Sequence, residues 1–248
     1  MRVAAIYDIH GNVPALEAVL QEIRKDGVDQ IVVGGDVLPG PMPREALALL
    51  LELDVPVQFI HGNGETAVLA HLAGDDLASV PERFREIIQW NARQLDAHHA
   101  PWLRTWRLTT QLEIAVIGPV LFCHATPRSD TELFTRLTPE ERLLPLFQEL
   151  NVAVVVCGHT HMQFDRRIGQ VRVVNAGSVG MPFGDPVACW LRLGPDITLR
   201  RTAYDLEAAA VRIRATDYPE AEEFVATCIL QPRSEEEMLQ LYSKAEQR

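Results

Sequence analysis

The chain alternates short apolar runs with polar breaks rich in glycine. Five runs stand out, at residues 3–7, 31–33, 55–60, 120–123 and 152–157. Each is too short for an ordinary helix and rich in Val and Ile, the mark of a strand buried on both faces. A polar segment follows each run. These segments are Asp8-Ile9-His10-Gly11-Asn12, Gly34-Gly35-Asp36, His61-Gly62-Asn63-Gly64-Glu65, His124, and Gly158-His159-Thr160-His161. In an open α/β sheet, functional groups gather in the crevice beyond the carboxyl ends of the strands. If the five strands share one sheet, Asp8, His10, Asp36, Asn63, His124, His159 and His161 meet at one edge.

Between the first strands the period changes to that of a helix. Leu16, Val19, Leu20 and Ile23 lie on one face of a helix over 14–24, and a second helix is predicted over 43–51. Such strand–helix–strand units favour a parallel sheet with right-handed crossovers. Residues 65–107 depart from this alternation and predict helices over 65–73, 81–99 and 101–106, a helical insertion beside the site. Strands over 109–117 and 120–123 are expected to join at a Gly118-Pro119 turn. Thr138-Pro139-Glu140-Glu141 reads as a helix start with Thr138 as N-cap and Pro139 at N1. Residues 162–202 predict antiparallel hairpins turning near Gly169 and Gly194. From Leu206 the chain is helical, broken at Pro219 and Pro232, with a last helix over 235–246 lying on the surface. One α/β domain over 1–248 is expected, with the 65–107 insertion and C-terminal helices in 203–248.

Composition narrows the partners. A chain of 248 residues with 47% apolar and 23% charged residues can bury a full core. Its formal net charge of −11 repels phosphate backbones, which argues against duplex nucleic acid. A small anion held by metal ions stays compatible, because the ions dominate the local field. The four cysteines form no CxxC pair, and Cys123 and Cys157 sit inside apolar runs as small hydrophobes. The first strand begins at once, leaving no room for a signal peptide, and no apolar run is long enough to span a bilayer. The expectation is a reduced, soluble, cytoplasmic protein with no membrane partner.

Carboxylate, imidazole and carboxamide ligands without thiolate suit Mn²⁺, Fe, Zn²⁺, Co²⁺ or Ni²⁺. Seven ligands exceed one tetrahedral site. Two ions sharing a bridging carboxylate use them all, and such ions stand about 3.5–4 Å apart, clamping the oxygens of an in-line displacement. Phosphoryl oxygens are the natural substrate-side ligands. Taken singly each motif is weak, since Asp-x-His can be a surface turn and Asn63 a turn residue. The ordered set, each member after a strand, is specific.

That ordered series of DxH, GD, GN, H and GHTH resembles the calcineurin-like metallophosphoesterase superfamily, from Asp8 to about Ser178. The loop from Gly35 to Pro43 and the run from Asn175 to Gly180 look like its small bacterial and archaeal branch. That branch comprises the YfcE-like phosphodiesterases and the relatives of diadenosine tetraphosphatase. The resemblance implies a four-layer α/β/β/α sandwich. It also implies that Asp8, His10 and His161 hold one divalent ion, Asn63, His124 and His159 a second, and that Asp36 bridges them. Mn²⁺ is favoured as the metal. A metal-bound hydroxide would attack a small phosphodiester or nucleotide directly, without a covalent enzyme intermediate. One departure stands out. Many members carry a leaving-group acid, His, where this chain has Gly64. General acid catalysis contributes about 10²–10⁴-fold, so its loss favours substrates with acidic leaving groups. No residue is assigned that role here, and His61 is expected to be a packed strand-end residue. Asn12 and Arg128 are the candidate substrate contacts, and Asn175 is expected to orient a ligand. The competing class is a non-catalytic scaffold of this fold that binds protein partners. Apolar faces of the insertion and of residues 206–230 could also pair copies of the chain in a homo-oligomer.

Overall fold

The structure is a computed structural model and describes residues 1–246. In chain order the strands are β1 (Val3–Ile6), β2 (Gln30–Val33), β3 (Val57–Phe59), β4 (Thr109–Ile114), β5 (Gly118–Cys123), β6 (Val154–Cys157), β7 (Phe164–Ile168), β8 (Val171–Asn175), β9 (Ala188–Leu193) and β10 (Ile197–Thr202). They form two five-stranded sheets, ordered β10-β9-β1-β2-β3 and β4-β5-β6-β8-β7. Parallel pairs lie at the centre of each sheet, β1–β2–β3 in one and β5–β6–β8 in the other. The outer strands β10, β9, β4 and β7 pair antiparallel.

The alternation of side chains along β1 explains the layers. Val3, Ala5 and Tyr7 point between the sheets, where they meet Val120, Phe122, Val156 and Val174. Ala4 and Ile6 point outward into a core shared with α1 (Val13–Asp26) and α2 (Pro43–Leu51). On the other outer face, Val155, Cys157 and Phe164 pack against Leu143 and Phe147 of α6 (Glu140–Phe147). Strands covered on both faces need apolar residues throughout, and the observed arrangement is the expected α/β/β/α sandwich.

The five apolar runs do not share one sheet. Three contribute to the first sheet and two to the second. An apolar run reports burial on both faces and says nothing about which neighbour pairs with it. The β4–β5 turn occupies residues 115–117, and Gly118 and Pro119 already pair with Ile114 and Glu113. Gly118 keeps its left-handed φ of +95° within that pairing. Pro139, not Thr138, caps α6. The Thr138 hydroxyl instead accepts from the Thr135 N–H and donates to Glu246, both at 2.8 Å.

The 65–107 segment supplies α3 (Asn63–Leu72), α4 (Glu82–Gln94) and α5 (His99–Leu103). The expected helix over 81–99 stops at Gln94, because Leu95 takes an extended conformation. Trp90 of α4 meets Tyr218 edge-on, so this segment joins the helical layer over the first sheet. After β10 follow α7 (Leu206–Arg214), α8 (Ala221–Phe224), a π-helical segment (Val225–Leu230) and α9 (Glu235–Ala245). The last helix is not a free surface element, since Met238 and Leu239 are buried beside Met162. Its three glutamates in the first turn mask a short apolar stripe. No described helix is long and apolar enough to cross a membrane.

Candidate metal centre

Each candidate ligand sits just past the end of a strand, where the chain must turn sharply. Asp8, His10, Asp36, His159 and His161 do so at positive φ, between 47° and 65°. Among the described residues only Leu77 and Val116 are other non-glycine residues in that region. Such backbone costs about 1–3 kcal/mol per residue and persists where surrounding contacts enforce it. The contacts here are backbone hydrogen bonds between the exit loops of β1 and β2. Asp8 N donates to Gly35 O at 3.0 Å, His10 N to Asp36 O at 2.9 Å, and Gly11 N to Val37 O at 2.9 Å. The second sheet joins through His159 N, which donates to Asp8 Oδ2 at 2.9 Å.

The rings are aimed by their distal nitrogens. Nδ1 of His10 faces Pro39 O at 3.0 Å, that of His124 faces Gly34 O at 2.9 Å, and that of His161 faces Met181 O at 2.8 Å. A carbonyl only accepts, so each Nδ1 carries a hydrogen, which leaves Nε2 as the nitrogen able to take an ion. These nitrogens converge. His10 Nε2 and His161 Nε2 are 3.3 Å apart. Asp36 Oδ2 lies 3.7 Å from His10 Nε2 and 3.6 Å from His124 Nε2, and Asp8 Oδ1 lies 3.4 Å from His161 Nε2. Asp8, His10 and His161 form one group able to hold an ion, and Asp8, Asp36 and His124 a second. Asp8 is common to the two groups, and Asp36 approaches a histidine of each. His159 packs edge-on to His124 with ring centres 5.1 Å apart. Asn63 opens α3, beside Gly62 and Asp36.

The fit to cations is visible in what lacks a partner. Asp8 Oδ1, Asn63 Oδ1 and His124 Nε2 are buried with no hydrogen bond among the described residues. An acceptor left so costs free energy unless a cation meets it. Electrostatics agree. Burial alone would raise the Asp8 carboxyl, but His161, His124 and His10 hold it down to about 2. Burial and then the neighbouring His124 hold His159 down to about 3. Burial lowers His10 despite Asp36. For His124 and His161, burial is outweighed by Asp36 and Asp8 for the first, and by Asp8 for the second, so both are raised.

Several supporting groups carry no obvious signal in the sequence. Glu65, fully buried, accepts from the N–H groups of Asp36 (2.9 Å), Leu38 (2.9 Å) and Gly62 (2.8 Å), tying two ligand loops together. Burial, then Asp36, pushes its carboxyl up to about 8, against those donors. Its position three residues into a helix opened by Gly62 is a capping pattern that marks the role in retrospect. Ser178 Oγ donates to Asp8 O at 2.7 Å. Asn175 donates to the Gly158 carbonyl at 2.6 Å and the Thr160 hydroxyl at 3.2 Å, so it holds the GHTH loop through those two groups and bonds no histidine ring. Gly64 N donates to Asp36 Oδ1 at 2.8 Å. A Cβ on Gly64 would lie 1.9 Å from Leu38 O, so no side chain fits there.

The two expected substrate contacts are engaged elsewhere. Asn12 is buried, caps α1 by accepting from Ala15 N at 3.2 Å, and donates to Gly180 O at 3.0 Å and the Tyr204 hydroxyl at 3.2 Å. Arg128 is exposed and grips Glu132 through two nitrogens. Neither side chain bonds a candidate ligand, because neighbours in a turn decide where such side chains point. His61 is half-buried, within 3.2 Å of the Thr66 hydroxyl and 3.8 Å of Asp130. A separate grouping of Asp96, His98 and His99 has two exposed members, and Asp96 already pairs with Arg44 at 3.3 Å.

Known proteins are similar to this chain in fold and sequence. A crystal structure of a metallophosphoesterase from Sphaerobacter thermophilus superposes with a TM-score of 0.73 at 26% identity, covering 91% of this chain and 97% of that one. The hypothetical protein PH1004 from Pyrococcus horikoshii shares the fold with a TM-score of 0.79 at 20% identity, over 94% and 99% of the two chains. An uncharacterised protein of Methanocaldococcus jannaschii, MJ0912, is 27% identical over 197 residues, 73% of this chain and 76% of its own length. The calcineurin-like phosphoesterase superfamily domain matches residues 1–193, which contain every candidate ligand. This chain belongs to the calcineurin-like phosphoesterase superfamily.

Proposed function

We propose that the protein is a dinuclear metal-dependent phosphodiesterase acting on small phosphodiesters or nucleotides with acidic leaving groups. The observation that carries this reading is the meeting of Asp8, His10, Asp36, His124 and His161 in two groups able to hold an ion, with Asp8 Oδ1 and His124 Nε2 buried, unpartnered and 3.9 Å apart. In it, Asp8, His10 and His161 would hold one divalent ion, Asn63, His124 and His159 would hold the other, and Asp36 would be shared. Two bound ions lower the pKa of water and screen charge on a phosphoryl group. Mn²⁺ is the favoured metal.

The chain's own residues then do the positioning. The Nδ1–H donations of His10, His124 and His161 fix each ring in the tautomer that presents Nε2. Glu65 holds the Asp36 and Asn63 loops at a fixed separation. The excluded side chain at Gly64 leaves the leaving group without a proton donor at that position, which favours aryl esters and phosphoanhydrides over alkyl esters. A non-catalytic scaffold would need neither aligned rings nor strained turns at the same five residues.

The test is hydrolysis of bis-p-nitrophenyl phosphate and p-nitrophenyl phosphate by metal-stripped protein, with Mn²⁺ added back. Turnover should return with metal and favour the diester. Asp36→Asn should lower it by at least about 10²-fold, the scale of losing one group that stabilises transition-state charge. Bound metal without turnover on any ester would remove the catalytic reading.

A further inference from the structure

The family match ends at Leu193, yet the last helix of the chain returns to the metal centre. Phe183 stacks on the His161 ring, centres 5.5 Å apart and planes 20° apart. Tyr242 of α9 meets Phe183 edge-on at 6.3 Å. Met162, next to His161, packs with Met238 and Leu239 beneath this aromatic pair. The helix is fastened at both ends. Gly184 N donates to Arg233 O at 2.9 Å, and Arg136 pairs with Glu235 at 2.7 Å. At the far end, Thr138 Oγ1 donates to Glu246 at 2.8 Å and Arg142 donates to the Glu246 carbonyl at 2.7 Å. The position of Tyr242 is therefore fixed by four contacts and not by its own packing alone.

The Tyr242 ring is half-buried, and its hydroxyl keeps some solvent access with no hydrogen bond to a described residue. Burial raises its pKa, and the Asp8 carboxylate is near enough to raise it further, so the phenol stays protonated at neutral pH. A phosphoryl group at the centre brings more oxygens than two ions can take. The remaining oxygen needs a neutral or cationic donor. Asn12 and Arg128 are engaged elsewhere. We propose that Tyr242 is a substrate-positioning residue whose phenol donates a hydrogen bond to a non-bridging phosphoryl oxygen on the His161 side of the centre. This rests on the phosphoesterase reading of the site, and it gives the C-terminal segment a place in substrate recognition that the family domain does not contain.

The test uses the full chain loaded with Mn²⁺ and the Tyr242→Phe variant, which keeps the ring and its edge contact with Phe183. Calorimetric titration with inorganic phosphate should show affinity weakened about ten-fold, the lower range for a hydrogen bond to a charged group. The KM for bis-p-nitrophenyl phosphate should rise similarly with kcat little changed, while Mn²⁺ affinity and melting temperature stay as in the unsubstituted protein. Unchanged phosphate affinity and KM would overturn the proposal. So would weakened Mn²⁺ binding in the variant, which would make Tyr242 a support for His161 only. If the unsubstituted protein binds no Mn²⁺ and cleaves no ester, the reading of the site itself fails and this one falls with it.

Discussion

Gly64 shows how one residue can carry both a structural demand and a chemical consequence. Its Cβ would strike the Leu38 carbonyl, a backbone atom held in turn by Glu65 through the Leu38 N–H. Gly64→Ala is therefore expected to destabilise the fold by about 1–3 kcal/mol, the range for overpacking a tight site. Urea denaturation measures this, and an unchanged midpoint would mean the loop gives way freely. Asp8, His10, Asp36, His124 and His161, which the structure brings into two groups, were legible because each is a metal-binding residue type placed soon after an apolar run. Glu65 was not, because its role depends on three N–H groups from separate loops. Asn12 and Arg128 could be flagged as polar residues near the site, but the direction of a side chain in a turn is set by partners such as Tyr204 and Glu132, distant or local, that no spacing reveals.

Elements were read well where burial alone defines them and poorly where pairing does. The central strands and α2 fall where the apolar pattern puts them, while their division between two sheets does not show in any run. The same limit applies to α9. A helix opening with Glu235, Glu236 and Glu237 looks solvated, and its docking is decided by Met162 and Phe183, more than fifty residues away. The start of α9 is set by Ser234, which accepts from Glu237 N at 3.2 Å while Glu237 reaches back to the Ser234 N–H at 3.0 Å. Ser234→Ala should cost about 1 kcal/mol, as for other N-caps. Hydrogen exchange should locate that loss in residues 235–245. Equal loss of protection across the central strands would instead make the helix part of the global unfolding unit.

The whole molecule is two sheets joined by an apolar layer, with the ligand cluster at one end of the seam. Anything bound there ties the halves together, and binding to the folded state alone raises stability by mass action. Added Mn²⁺ should raise the melting temperature of metal-stripped protein, and the rise should grow with pH. The sign follows from the histidines. His124 and His161 are raised above the ordinary value of 6.5, so in metal-free protein their contribution is complete below 6.5 and is lost as pH rises through the raised values. Those are also the protons an ion must displace. His10 and His159 are lowered and already neutral in that interval. Differential scanning fluorimetry across pH 6.5 and upward checks it, and a pH-independent shift would place the ion elsewhere. The apolar seam has a further mechanical property. Contacts among Val3, Ala5, Val120 and Val156 hold the sheets together but are non-directional, so they set how far one slides along the other less sharply than directed bonds such as Tyr7 Oη to Val156 O at 3.2 Å. Ligands drawn from both sheets do fix it, because coordination tolerates displacements of only tenths of an ångström. The centre would thus serve as a rivet, setting the alignment of the two halves as well as hosting the chemistry between them.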